Sequence, residues 1–164
     1  MSSLWERLDV AFAAAFDGDM GIGGVYGDLR LREVAVNEVW DPDRAPWPRL
    51  ILYSNTARLG VSEHGGGGEQ RYDAAYPYLA VAVTDGESYG ETRARAQMLF
   101  SRMLHVLKRP AAILQAAMAA DPTGTERAVR VVPERGGASG IQVTGGPRQW
   151  RGVAILGWAV ETKV

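Results

Sequence analysis

The sequence has no cysteine, so neither a disulfide framework nor a thiolate metal site contributes to it. It has only two histidines, His64 and His105, each without a second histidine at the i,i+4 spacing that lets one helix face bind a metal. No uncharged apolar run approaches the roughly 18 residues of a membrane span. The opening "MSSLWERLDVAFAAAF" carries Glu6, Arg7 and Asp9 among its apolar residues, and lacks the basic start and unbroken apolar core of a secretion signal. A soluble intracellular protein is the expectation. An excess of charge is missing as well. With 18 Lys+Arg against 19 Asp+Glu the formal net charge is −1, which gives no long-range positive field for nucleic acid or an anionic membrane.

What is present suits one domain, 1–164. The chain has 164 residues, 46% of them hydrophobic and 23% charged, enough to bury a sizeable core. Ser3, followed three residues later by Glu6, predicts a capping box for a helix over Ser3–Phe16, with Leu4, Leu8, Phe12 and Ala15 at helical spacing. The glycines of "DGDMGIGG" should stop it. Val25–Trp40 alternates like a strand, "DPDRAPWPR" reads as a proline-rich surface loop, and "LILYSN" as a short strand. "YPYLAVAVTDG" alternates Leu79, Val81 and Val83 against Tyr78, Ala80 and Ala82.

The clearest helix is Glu91–Lys108. Ala96, Leu99, Phe100, Met103, Leu104 and Leu107 form its apolar stripe, and Glu91, Arg95, Arg102, His105 and Lys108 its polar side. Pro110 introduces a further helix, Ala111–Ala120. Residues 121–149, rich in glycine and proline, hold two brief strand-like pieces, "AVRVV" and "IQVT", and read as a protruding hairpin or arm. "QWRGVAILGWAVETKV" closes the chain as a long strand. The expected fold is α+β: a mostly antiparallel sheet of about four strands with helices on one face, plus the arm.

Chemical motifs are absent where they would be sought. The tetraglycine Gly65–Gly68 is followed by Glu69 and Gln70, with neither the lysine nor the helix start of a phosphate loop. It therefore reads as a flexible turn before a strand. "GIGGVYG" runs helix, glycines, strand, the reverse of a dinucleotide-binding order. Asp17 with Asp19, and Asp41 with Asp43, sit in turn-like sequence where aspartate bonds to backbone. "GASG" and "DGES" lack the strand–elbow–helix setting of a serine nucleophile. Arg127, Arg130, Arg135, Arg148 and Arg151 cluster in the arm and the start of the last strand, where protein contact is favoured over phosphate contact. A pocket on the sheet face would have mainly Tyr26, Tyr53, Tyr78 and Arg151 to draw on, too few to define a reaction.

The last strand carries the argument about partners. One face has Trp150, Gly152, Ala154, Leu156, Trp158 and Val160; the other has Arg151, Val153, Ile155, Gly157, Ala159 and Glu161. Both are apolar through the middle, as in strands buried on two sides. Three helices can cover only one face. The other is covered either by a second copy of the chain or by the arm folding back. Trp47, between two prolines, either anchors an interface or plugs its own loop. The candidate subunit or partner interface is Trp47, Arg130, Arg135, Trp150, Arg151, Val153, Ile155 and Trp158.

The order of N-terminal helix, glycine-punctuated strands, "YPYLAVAV", long arginine-bearing helix, loose arm and "WRGVAILGWAVET" resembles the tail-terminator (tail-completion) proteins of long-tailed bacteriophages. Head–tail neck and head-completion proteins are similar. The resemblance implies a structural virion protein without catalytic residues, metal or cofactor. It implies a six-fold ring of identical subunits that caps the tail tube and meets the head connector, with DNA passing through the ring without sequence-specific contact. Its place would be the virion, and the host cytoplasm during assembly. The alternatives are a neck or head-completion protein and a small α+β ligand-binding or enzyme domain.

Overall fold

The structure, a computed structural model, describes residues 3–54, 60–66, 69–133, 139–146 and 149–163. Its elements are α1 (Leu4–Met20), β1 (Glu33–Val36), β2 (Arg49–Ser54), β3 (Gly60–Gly66), β4 (Glu69–Gly86), α2 (Tyr89–Leu107), α3 (Pro110–Ala119), β5 (Arg127–Pro133), β6 (Gly140–Thr144) and β7 (Trp150–Lys163). The class is α+β. The sheet has seven strands rather than about four, in the order β1-β2-β4-β7-β5, with β3 beside β4 and β6 beside β7. β1 and β2 are parallel and every other pair is antiparallel.

The helices start where capping chemistry places them. Ser3 Oγ accepts from the Glu6 amide while the Glu6 carboxylate accepts from the Ser3 amide, which satisfies two otherwise orphaned donors. α1 outruns the expected end at Phe16 and continues through Gly18, because Met20 extends the buried stripe of Phe12 and Phe16 by another turn. Arg7 ties α1 to α3, donating to the Ala117 carbonyl at 3.1 Å near the end of that helix, where the dipole favours a cation.

α2 is capped by Ser88 and buries Ala96, Leu99, Met103 and Val106. It lies close to β7, where a Cβ on Gly152 would meet the Thr92 carbonyl oxygen at 2.8 Å. Two of its residues depart from the sequence reading. Leu104, assigned to the apolar stripe, is exposed. Arg102, assigned to the polar side, is buried, with its guanidinium over the Tyr26 ring at 4.1 Å and paired with Asp28 at 2.7 Å.

Only Glu33–Val36 of the expected Val25–Trp40 strand is a strand. The preceding residues form an irregular loop, braced internally by Arg30 and held to the body through Arg102 and Leu31. Arg30 donates to the Tyr26 and Ile22 carbonyls, Arg102 reaches the Asp28 carbonyl, and Leu31 is buried beside its bridge to Gly21. Leu29 and Asn37 take positive φ, of 45° and 52°, which ends the alternation on either side of β1.

The two sheet faces are closed differently. On the helix face, Trp158 packs against Phe12, Phe16 and Tyr78 with ring centroids 5.2–5.8 Å away, in one core with Leu50, Leu52, Ala80, Ala82, Leu99 and Met103. The opposite face carries the cross-strand row Arg49, Val83 and Val153, then the row Ile51, Val81 and Ile155. Arg49, Ile51 and Val83 are fully buried, Val81 and Val153 are 5% and 6% exposed, and Ile155 is half-buried. The polar contacts on this face run mainly to segment 37–48. Arg49 Nη2 meets Glu38 at 2.9 Å, Arg151 Nε meets Asp43 at 3.4 Å, and the Arg151 guanidinium lies 4.1 Å from the centre of the Trp47 ring. The face for which a second copy or the arm was expected is therefore buried at its centre within the one chain, and the proline-rich loop holds its Arg49 and Arg151 end.

The arm, too, lies elsewhere than expected. β5 pairs with the C-terminal half of β7 and β6 with its N-terminal half, so Arg127–Pro133 and Gly140–Thr144 form one interrupted edge strand. Ser139 Oγ accepts from the Gly157 amide at 3.0 Å inside the interruption. The element that does project is the β3–β4 hairpin. β7 ends its pairing at Asp73↔Lys163, whereas β3 and β4 remain paired out to Gly66↔Glu69. Gly65 and Gly66, read as part of a turn before the strand, thus belong to the ladder; Gly67 and Gly68 lie outside the described residues.

Candidate functional site

A cleft of about 850 Å³ opens where β4 ends, and two irregular pieces of chain meet the β4–α2 connection there. Residues 27–32 form one wall, Pro46, Trp47 and Pro48 a second, and Asp85 with Arg95 a third. The Trp47 indole donates to the Pro42 carbonyl at 3.1 Å, which fixes the ring within its own loop. These contacts fit the reading of Trp47 as a plug for its own loop: the half-buried ring lies against Arg151, and it also lines the cleft.

The charges around the cleft are unevenly matched. Asp28 is paired with Arg102 at 2.7 Å, and that guanidinium holds its carboxyl below the usual range. Asp85 is paired with Arg95 at 3.2 Å, and Arg95 also reaches Glu91 at 2.9 Å. Arg30 donates only to main-chain carbonyls, and Arg32 is exposed with no side-chain partner among the described residues. Among the described residues two guanidiniums therefore lack a carboxylate, while both carboxylates lining the cleft already have a guanidinium.

The sequence-predicted residues fall in separate places. Trp47 and Arg151 stack, and Trp150 meets Tyr89 edge-on with centroids 5.7 Å apart; both pairs sit near the β4–β7 end that opens on the cleft. Arg130 is exposed at the far end of β7, paired with Glu161 across the strands. Arg135 and Arg148 lie outside the described residues. Trp158, at 1% exposure, is a core residue with no surface to offer a partner, and Val153 is nearly so; both leave the candidate interface. Ile155 keeps part of its surface.

The tyrosines suggested for a pocket do not converge. Tyr26 stacks under Arg102, and Tyr78 is buried against Trp158. The Tyr53 hydroxyl is buried with no hydrogen-bond partner among the described residues. His64 lies on β3 and His105 is exposed on α2. Asp41 accepts from the Asp43 amide at 3.1 Å, the backbone role its turn sequence implied. Among the described residues, no group of three or more His, Asp or Glu could hold a metal ion, and no helix is long and apolar enough to cross a membrane.

Two features escaped the sequence reading. The first is Arg49, buried on the second face between Glu33 at 3.3 Å and Glu38 at 2.9 Å. The second is the pair Arg30 and Arg32. The alternating "LRLRE" was the available signal, but alternation says only that the arginines share a side, not that a proline loop forms the opposite wall. No protein-family model matches the chain, and no curated protein matches it as a relative.

Proposed function

We propose that this chain is a ring-forming structural protein of the tail-terminator kind, capping the tail tube of a long-tailed bacteriophage and joining it to the head connector. The observation that carries this reading is the projecting β3–β4 hairpin. Beyond Asp73 it is a two-stranded ribbon. β3 has no other strand beside it, and Glu69–Tyr72 have no partner in β7 among the described residues. An isolated two-stranded ribbon is marginally stable in water, and its free edges offer unpaired backbone groups to another chain. A neighbouring subunit or the tail tube satisfies both needs. A closed ring requires two different complementary patches on each subunit, and the hairpin supplies one.

The helix and strand order that resembles tail terminators adds support. The covered second face removes a different argument, since no second copy is needed to bury β7. Association on this reading therefore runs through the hairpin and the exposed edge β5–β6, where Val129 stands out at a register break. Six copies is the ring size that the resemblance implies. The test is the sedimentation of the purified chain, alone and with purified tail tubes. A discrete ring-sized oligomer, or capped tubes, is the expected result. A strict monomer with no affinity for tube or connector would remove the proposal.

A further inference from the structure

We infer that the cleft between residues 27–32 and Trp47 is a docking site for an acidic, extended peptide segment of another protein. The inference rests on charge complementarity and shape, and it stands whether or not the chain forms a ring. Among the described residues Arg30 and Arg32 are the cations of the cleft without a carboxylate, whereas Asp28 is paired with Arg102 and Asp85 shares Arg95 with Glu91. A ligand carboxylate entering here meets two guanidiniums, while each carboxylate on the cleft wall already has a guanidinium beside it.

Arg30 is also prepared for the task. Its Nε and Nη1 are held by the Tyr26 and Ile22 carbonyls, so the guanidinium is fixed before any ligand arrives. Little side-chain entropy remains to be lost at that position on binding. Arg32 is exposed, but its backbone is anchored through its amide to the Pro48 carbonyl at 2.8 Å, which ties the arginine wall to the tryptophan wall.

The size and the apolar lining decide between ligands of the same charge. A space of about 850 Å³ with Ile22, Pro46, Trp47 and Pro48 on its walls exceeds what an inorganic anion can use. It fits a few residues of extended chain, with carboxylates on the arginines and an apolar side chain on the proline–tryptophan wall. A nucleic-acid strand would bring a row of phosphates past Asp28 and Asp85, and the chain as a whole has no positive excess to offset that.

The test is an NMR titration of the whole protein with an oligoglutamate peptide, an oligolysine peptide of equal length, and inorganic phosphate. The expected result is saturable shifts with oligoglutamate alone, centred on Gly27, the Arg32 amide and the Trp47 indole N–H, weakening as salt is raised. Arg32→Glu, at an exposed side chain without partners among the described residues, should keep the spectrum of the folded protein and weaken oligoglutamate by about tenfold or more. Arg30→Gln serves as a second variant with the same expected direction. The inference is overturned if oligoglutamate produces no shifts there, if oligolysine binds equally well, if Arg32→Glu leaves the affinity unchanged, or if phosphate alone reproduces the shifts at similar concentration.

Discussion

The two faces of the sheet bury comparable apolar side chains by different means. On one, α1 and α2 lay stripes of Leu8, Phe12, Phe16, Leu99 and Met103 over Trp158 and Leu52, and the seal is almost entirely apolar. On the other, Ile51, Val83 and Val153 are buried beside an irregular segment tied on by ion pairs, a cation on an indole and a buried arginine. Periodic cover can be read from one strand of text. Cover built from prolines and charge pairs cannot, because its partners are set by where the chain happens to return. An apolar strand face therefore does not by itself demand a second subunit.

The comparison predicts a graded response to substitution. Trp158→Ala should be the most damaging, at about 3–5 kcal/mol, since it empties the centre of the helix-side core. Chemical denaturation measures it, and a loss below about 1 kcal/mol would mean that the helix side is not the principal core. On the loop side, Arg49→Ala should cost about 2–3 kcal/mol by leaving a void and leaving Glu33 and Glu38 to Arg44 alone. Arg49→Met, which keeps the apolar stem, should cost under about 1 kcal/mol, because Glu33 and Glu38 are exposed enough to be hydrated. Equal losses for the two variants would show that charge, not packing, holds the loop.

The smallest effect concerns Asp9. Burial raises its pKa, partly offset by the hydroxyls of Tyr78 and Ser54. The folded state thus binds the proton more tightly than the unfolded state. Stability from this group is fully present below the ordinary carboxyl pKa and is lost as pH rises through the raised value. Asp9→Asn should accordingly be slightly more stable than the parent at neutral pH, with the difference closing in acid. Thermal melts across the acidic range check it, and a variant that is destabilised at neutral pH but matches the parent in acid would reverse the sign.

The sequence made the local signals legible. The Ser3–Glu6 box, the Ser88-capped helix, the alternation of Val81 and Val83 and the long β7 all stand where their patterns put them. What escaped is non-local. β5 and β6 share one edge of β7 although a stretch of chain separates them, and nothing in "AVRVV" or "IQVT" marks that edge. Glycine carries little strand preference, so "GVSEHGG" gave no sign that it would pair with β4 and project. Arg102 looked solvated because its partners, Tyr26 and Asp28, lie in a loop far away in sequence. The cleft shares that cause, as its walls come from three distant segments.

Both sheet faces are closed within one chain, and the proposed function runs association through the projecting hairpin. Its most direct test replaces residues 61–72 with a short glycine–serine linker and compares the sedimentation of that variant with the parent. The predicted outcome is a parent that assembles and a variant that is folded, with native-like melting, yet monomeric and unable to cap tail tubes. A variant that still assembles as the parent does would contradict it.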